Sequence, residues 1–150
     1  MTIFFYSIHE KPYGCFSNFS RHGFDLDGFW WPTSEHYFQA AKYPGHPYGE
    51  AIRLAKTPRE AAEMGRQRLY PLRPDWETVK EEIMYRGVLR KFTIHGEIRE
   101  ILLVTGEELL IENSPIDYYW GCGADGTGKN RLGHVLMKVR GFFRESAGDS

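Results

Sequence analysis

Two stretches concentrate side chains that could do chemistry. Between Asp117 and Gly133 lie the rings Tyr118, Tyr119 and Trp120, the glycines Gly121, Gly123, Gly126 and Gly128, and the cations Lys129 and Arg131. Glycines let backbone N–H groups approach an anion closely, and a following helix start adds partial positive charge. Lys129 with Arg131 can then neutralise phosphate oxygens. From Lys129 to Arg144 there are five Lys/Arg and no acid. The same residues also suit a flexible surface loop leading into a solvated basic helix. Gly123 to Lys129 satisfies G-x-x-x-x-G-K, the body of a nucleoside-triphosphate P-loop. Asn130 stands where Ser or Thr should ligate magnesium, and no apolar strand precedes the loop. The P-loop is therefore set aside.

The second stretch runs from Trp31 through Pro32, Thr33, Ser34, Glu35 and His36 to Lys42. Glu35 falls in the first turn of a predicted helix, where a carboxylate either complements the helix dipole or serves as a catalytic group. His36 invites a metal hypothesis, but no H-E-x-x-H or Cys/His spacing accompanies it, so no metal site is expected. Trp76, just after Asp75 and near Arg73, is either a core ring or the floor for a stacked base. Cys122, between two glycines with no Cys–His pattern, reads as a loop residue.

The elements that must position these groups follow from periodicity. Thr2–Tyr6 reads as a strand, and the alternation of rings with small polar residues from Gly14 to Phe19 as a structured loop. Asp27-Gly28 predicts a tight hairpin between Phe24–Leu26 and Phe29–Trp31. The period then changes to that of a helix over Ser34–Tyr43, with Thr33 or Ser34 as cap and Pro44-Gly45 as stop. A short helix is expected over Tyr48–Leu54, and Thr57-Pro58-Arg59-Glu60 supplies cap, N1 proline and capping glutamate for another. Asp75 can cap a long helix whose apolar positions are Val79, Ile83, Met84, Val88, Leu89 and Phe92. Glu97–Val104 reads as helix, Leu109–Ile111 as strand and Leu132–Phe143 as a last helix. The expected class is α+β, a small mainly helical fold with a few short strands.

Composition bounds the rest. With 150 residues, the chain suits one domain over 1–145, followed by a disordered tail over 146–150. Its 19 Lys+Arg and 20 Asp+Glu give a net charge of −1. That sum excludes a protein that coats nucleic acid through a broadly basic surface and leaves room for a local basic pocket. No apolar run approaches the ~20 residues that span a bilayer, so no membrane partner is expected. Cys15 and Cys122 lie far apart, and the first residues lack a secretory pattern. A reduced, cytoplasmic protein is the expectation.

The motifs resemble a known family. Phe16-Ser17-Asn18-Phe19, Trp31 through Ala40, Met64-Gly65-Arg66, Pro71-Leu72-Arg73 with Trp76-Glu77, and Asp117 through Gly121 with Gly128 through Gly133 are similar to blocks of the NADAR, or YbiA-like, N-glycosidases, in family order. The resemblance implies a small mainly helical α+β fold and hydrolysis of an N-glycosidic bond between ribose and a base, without a cofactor. Two substrate classes go with it: phosphoribosylamino-pyrimidine intermediates of riboflavin biosynthesis, and ADP-ribose on guanine bases of nucleic acid. By the same resemblance the catalytic positions are Glu35, Trp76 and Asp117. Asn18, Lys42, Trp120, Gly121, Lys129, Asn130 and Arg131 are substrate-binding positions. The sequence departs at Cys122, where some relatives carry an acid, which bears on substrate choice.

Breaking a ribosyl C1–N bond builds positive charge on the sugar, which a carboxylate in a dry pocket stabilises. Glu35 and Asp117 are the candidate carboxylates. Glu35 is expected to orient or deprotonate water and Asp117 to contact ribose or base, with the division between them open. Trp76 would stack on the base, and Lys129 with Arg131 would hold phosphate. The competing class is a non-catalytic ADP-ribose or nucleotide-binding module, in which Glu35 is only a helix-end residue.

Overall fold

The computed structural model describes residues 1–148. Strand β1 (Thr2–Phe5) leads through a 3-10 turn at Tyr13–Phe16 to the hairpin strands β2 (Phe24–Leu26) and β3 (Phe29–Trp31). Helices α1 (Ser34–Ala40), α2 (Pro47–Arg53), α3 (Pro58–Arg66), α4 (Trp76–Ile94) and α5 (Gly96–Val104) follow. Strand β4 (Leu109–Glu112) and helix α6 (Arg131–Gly148) complete the chain, an α+β fold that is mainly helical as expected. The backbone gathers into two compact units, one of residues 18–94 and one of residues 1–17 with the chain from residue 95 onward.

In the unit of residues 18–94, the β2–β3 hairpin pairs Phe24 with Trp31 and Leu26 with Phe29. Asp27 and Gly28 take φ of 56° and 86°, the two left-handed conformations that a two-residue hairpin needs. Thr33 rather than Ser34 caps α1, its side chain accepting from the His36 amide. Every residue of α1 is buried, including Ser34, Glu35, His36 and Gln39. The helix stops at Ala40 rather than Tyr43. The amides of Lys42 and Tyr43 bond to carbonyls three residues back, tightening the chain into a turn before Pro44. Thr57 and Pro58 start α3 as the sequence predicts, with Thr57 Oγ1 accepting from the Glu60 amide at 3.0 Å. Asp75 contributes its backbone carbonyl to the start of α4, and both carboxylate oxygens are taken by the Arg73 guanidinium at 2.6 and 3.0 Å. Ile83, Met84, Val88 and Phe92 form the buried stripe of α4, and Gly87 lets the Tyr37 ring approach, since a Cβ there would stand 2.8 Å from it.

In the other unit, β1 and β4 run parallel with Thr2 opposite Leu109 and Phe5 opposite Glu112. Leu132, Val135, Leu136 and Val139 form the buried stripe of α6. Arg140 is buried on the same helix, donating to Thr105 Oγ1 at 2.8 Å and to the Glu108 carbonyl at 2.9 Å. It ties the turn before β4 to the helix, so one of the five cations in the basic run is structural. Helix α6 continues through Ser146 to Gly148, where a tail was expected; residues 149 and 150 lie outside the described residues. Among the described residues no helix is long and apolar enough to cross a membrane.

Candidate active site

One group of expected site residues assembles around α1. Residues 35, 38, 39 and 42 follow the i, i+3, i+4, i+7 spacing of a single helix face, and Lys42 continues that face just past the helix end. Asn18 fixes the start of the helix: its carbonyl accepts from the Glu35 amide at 3.1 Å, and its Oδ1 accepts from Ser34 Oγ at 2.8 Å. Glu35 is only 6% exposed, and its Oε1 accepts from Gln39 Nε2 at 2.8 Å. A carboxylate in such a place is desolvated and directed, the two properties needed to stabilise a developing cation or to polarise water.

Lys42 lies beside it. Its Nζ donates to the Gly65 carbonyl at 3.2 Å and stands 5.8 Å from the ring centroids of both Phe38 and Trp76. Burial pushes its pKa down to about 8, against the opposing pull of the Glu35 charge, with Arg68, Arg66 and Lys80 adding to the fall. An amine that titrates there can act as proton donor and acceptor near neutral pH. Trp76 is 6% exposed and packs its ring 5.0 Å from Phe38 at 56°. Its contacts are those of a core ring that shares a wall with the amine.

His36 belongs to the scaffold. Its Nδ1 meets Thr33 Oγ1 at 2.8 Å and its Nε2 meets the Ala55 carbonyl at 3.0 Å. A carbonyl only accepts, so Nε2 carries the proton and Nδ1 accepts a hydrogen bond from the Thr33 hydroxyl. Burial holds its pKa below the ordinary histidine value, which keeps the ring neutral and joins α1 to the chain ahead of α3. A cleft of about 520 Å³ opens on the opposite face of α1, among Phe29, Trp31, Tyr37, Tyr43 and Arg73. None of the expected site residues lines it.

The remaining candidates lie in the other unit. Asp117 Oδ1 accepts from the amides of Tyr119 at 2.9 Å and Trp120 at 2.7 Å, forming a turn that presents those two rings, 4.9 Å apart. The carbonyls of Tyr118, Tyr119, Trp120 and Gly121 in turn accept from the amides of Lys129, Arg131, Leu132 and Asn130. Gly121 packs so closely that a Cβ would stand 2.9 Å from Ser114 and 3.0 Å from two backbone carbonyl oxygens. The loop amides expected to face an anion are thus largely spent inside the loop: Gly128 bonds to Cys122, Thr127 to Asp125 and Ala124 to the Tyr118 hydroxyl. This is not the open amide cradle of a P-loop, and what the loop offers an anion is the side chains of its cations rather than its amides. Lys129 is exposed, with Nζ 5.6 Å from the Tyr119 ring centroid, and Arg131 opens α6. Asn130 is buried at φ 52°; its Nδ2 donates to the Leu110 carbonyl at 2.8 Å and its Oδ1 accepts from the Glu112 amide at 2.9 Å. Its amide is occupied by strand β4. Gln39 and Gly65 carry no sequence signal of their own as site residues, since the burial of α1 that gives Gln39 its meaning is visible only in the structure.

The family model of the NADAR domain matches residues 4–144. The chain belongs to the NADAR family. It is 53% identical over 147 residues to the N-glycosidase Npun_R5314 of Nostoc punctiforme, covering 96% of this chain and 94% of that one. It is 49% identical over 138 residues to the N-glycosidase YbiA of Escherichia coli, covering 92% and 86%. The NMR structure of that protein superposes with a TM-score of 0.92 at 45% identity, over 100% of this chain and 89% of the other. The chain is also 43% identical over 143 residues to the riboflavin biosynthesis protein PYRR of Zea mays, covering 85% of this chain and 23% of that longer one. As a NADAR protein of this kind, the chain is a hydrolase acting on N-glycosyl bonds.

Proposed function

We propose that this NADAR protein hydrolyses the ribosyl C1–N bond of a phosphorylated ribosylamino-pyrimidine. The observation that carries the reading is the buried face of α1, where a carboxylate held by Gln39 lies beside an amine whose pKa is down to about 8. Water adds to C1 as the C1–N bond breaks; the water loses a proton and the departing base nitrogen gains one. Glu35 orients or deprotonates that water and stabilises the positive charge on the sugar. Lys42, on the same face, lies beside the reacting groups as a substrate-binding cation. Trp76 walls that face of α1. Within their own unit, Lys129 and Arg131 offer charge suited to a phosphate, and Asp117 holds the turn that presents the Tyr119 and Trp120 rings. The pyrimidine class is preferred because relatives carrying the domain are named for riboflavin biosynthesis. Both cysteines, Cys15 and Cys122, are buried thiols, which suits the reducing cytoplasm.

The test supplies purified protein with 5-amino-6-ribosylamino-pyrimidine phosphate and, in parallel, with ADP-ribosylated guanine DNA. Free pyrimidine and free sugar phosphate from the first are the expected products, with the unphosphorylated riboside turned over far more slowly. Free guanine-containing DNA from the second substrate alone would move the assignment to nucleic-acid repair. No product from either, with tight ligand binding intact, would make the protein a binding module.

A further inference from the structure

Burial places Glu35 in a dry site, but burial alone does not aim its carboxylate. We propose that Gln39 and Gly65 form a positioning device for Glu35, in which Gln39 directs the carboxylate and Gly65 provides the room that Gln39 needs. The proposal rests on the catalytic reading of Glu35 given above. Gln39 lies one turn after Glu35 on the same face, and its Nε2 donates to Glu35 Oε1 at 2.8 Å. Gln39 is 3% exposed and Glu35 6%.

The other end of the Gln39 amide is the telling part. Its Oε1 is buried with no hydrogen-bond partner. An orphaned buried acceptor is destabilising, and native structures carry few of them. Turning the amide over would bring its oxygen against the Glu35 carboxylate, acceptor to acceptor, so the orphan cannot be relieved by a flip. An apolar side chain of the same length would remove the orphan acceptor but would also leave Glu35 Oε1 without the Gln39 donor. The glutamine thus carries an unsatisfied oxygen on one side in order to hold a donor on the carboxylate on the other, which fixes the direction of that carboxylate.

Gly65, in the last turn of α3, is the second half of the device. A Cβ at that residue would stand 2.1 Å from Gln39 Oε1, 2.7 Å from its Cδ and 2.8 Å from its Cβ. Because the contact reaches back to the Gln39 Cβ, a swing of the amide tip alone would not relieve it. Any side chain at Gly65 must displace Gln39 from Glu35. The Gly65 carbonyl also accepts from Lys42 Nζ at 3.2 Å, so one residue of α3 sets the place of both the carboxylate's partner and the amine.

The experiment measures kcat, KM and thermal unfolding for the wild type, Gln39→Met, Glu35→Gln and the double variant, with the ribosylamino-pyrimidine phosphate as substrate. Gln39→Met removes the orphan acceptor and the donor to Glu35 Oε1 together, so its unfolding temperature should fall by only a few degrees. Its KM should stay within about threefold while kcat falls about tenfold or more. In the Glu35→Gln background the same change should cause no further loss of residual turnover, since the carboxylate it directs is absent. Gly65→Ala reads the device from the other side: kcat falls with KM held, and adding Gln39→Met costs nothing more. If Gln39→Met does not fold, the Gly65→Ala split decides. A kcat for Gln39→Met within about twofold of wild type, beside an inactive Glu35→Gln, would overturn the device and leave the role of Glu35 standing. Full loss on top of Glu35→Gln would also overturn it. An active Glu35→Gln would instead remove the catalytic reading, so the two failures are distinct.

Discussion

Lys42 is the residue whose chemistry departs most from its type. The buried face of α1 holds it at a pKa of about 8, with burial as the main cause, against an ordinary lysine value of 10.5. Between those two values the unfolded chain binds more protons than the folded one, so this residue makes stability rise as pH increases through the window. Urea denaturation at about pH 7 and about pH 9.5 should show wild type gaining stability relative to Lys42→Met; an identical pH dependence in the two would contradict the burial of a charged amine. Glu35 stands out in the sequence because a carboxylate follows a Thr-Ser helix start, whereas Lys42 is singled out only by the family resemblance. Gln39 does not stand out, since an amide four residues along a helix is commonplace until its environment is known. Asp117 and Asn130, expected at the substrate, have side chains that take part in local hydrogen bonds, which no sequence pattern announces. Side-chain type is visible in a sequence, but the partner that consumes it is not.

At the scale of elements, the parts that depend on local chemistry were legible. The Asp27-Gly28 hairpin needs two residues that tolerate positive φ, and Thr57-Pro58 starts a helix through its own side chain and fixed backbone angle. The boundaries that shifted depend on bonds between neighbours: α1 ends early in a tightened turn, and α6 begins at Arg131 after the amides ahead of it have paired across the loop. The pinning of β4 by Asn130 was not legible, because its partners Leu110 and Glu112 lie about twenty residues earlier. That pin carries a stability prediction. Asn130→Ala keeps the strained positive φ but leaves a strand amide and a strand carbonyl unsatisfied, and should lower unfolding free energy by about 2–4 kcal/mol in denaturant titration. A loss below about 0.5 kcal/mol would show that the strand does not depend on it.

At the scale of the whole molecule, the net charge of −1 conceals an uneven arrangement. Arg53, Arg59, Arg73, Lys80, Arg86 and Arg90 each meet a carboxylate in the unit of residues 18–94, while Arg140 is buried inside the other unit. With 20 Asp+Glu against 19 Lys+Arg, the protein carries no net positive charge with which to track a phosphate backbone. Unmodified duplex DNA should therefore bind no tighter than about 10⁻⁴ M in an anisotropy titration at physiological salt, whereas tighter binding with a steep salt dependence would contradict a neutral surface. The family membership and the mainly helical fold converge on hydrolysis of an N-glycosyl bond, and the proposed mechanism puts the buried Glu35 at its centre. The most direct measurement is release of free pyrimidine from the ribosylamino-pyrimidine phosphate by wild type and Glu35→Gln at matched ligand occupancy. Wild type should release the base, and Glu35→Gln should bind the ligand within about threefold but turn it over about a hundredfold more slowly. Equal turnover by the two proteins would contradict the account.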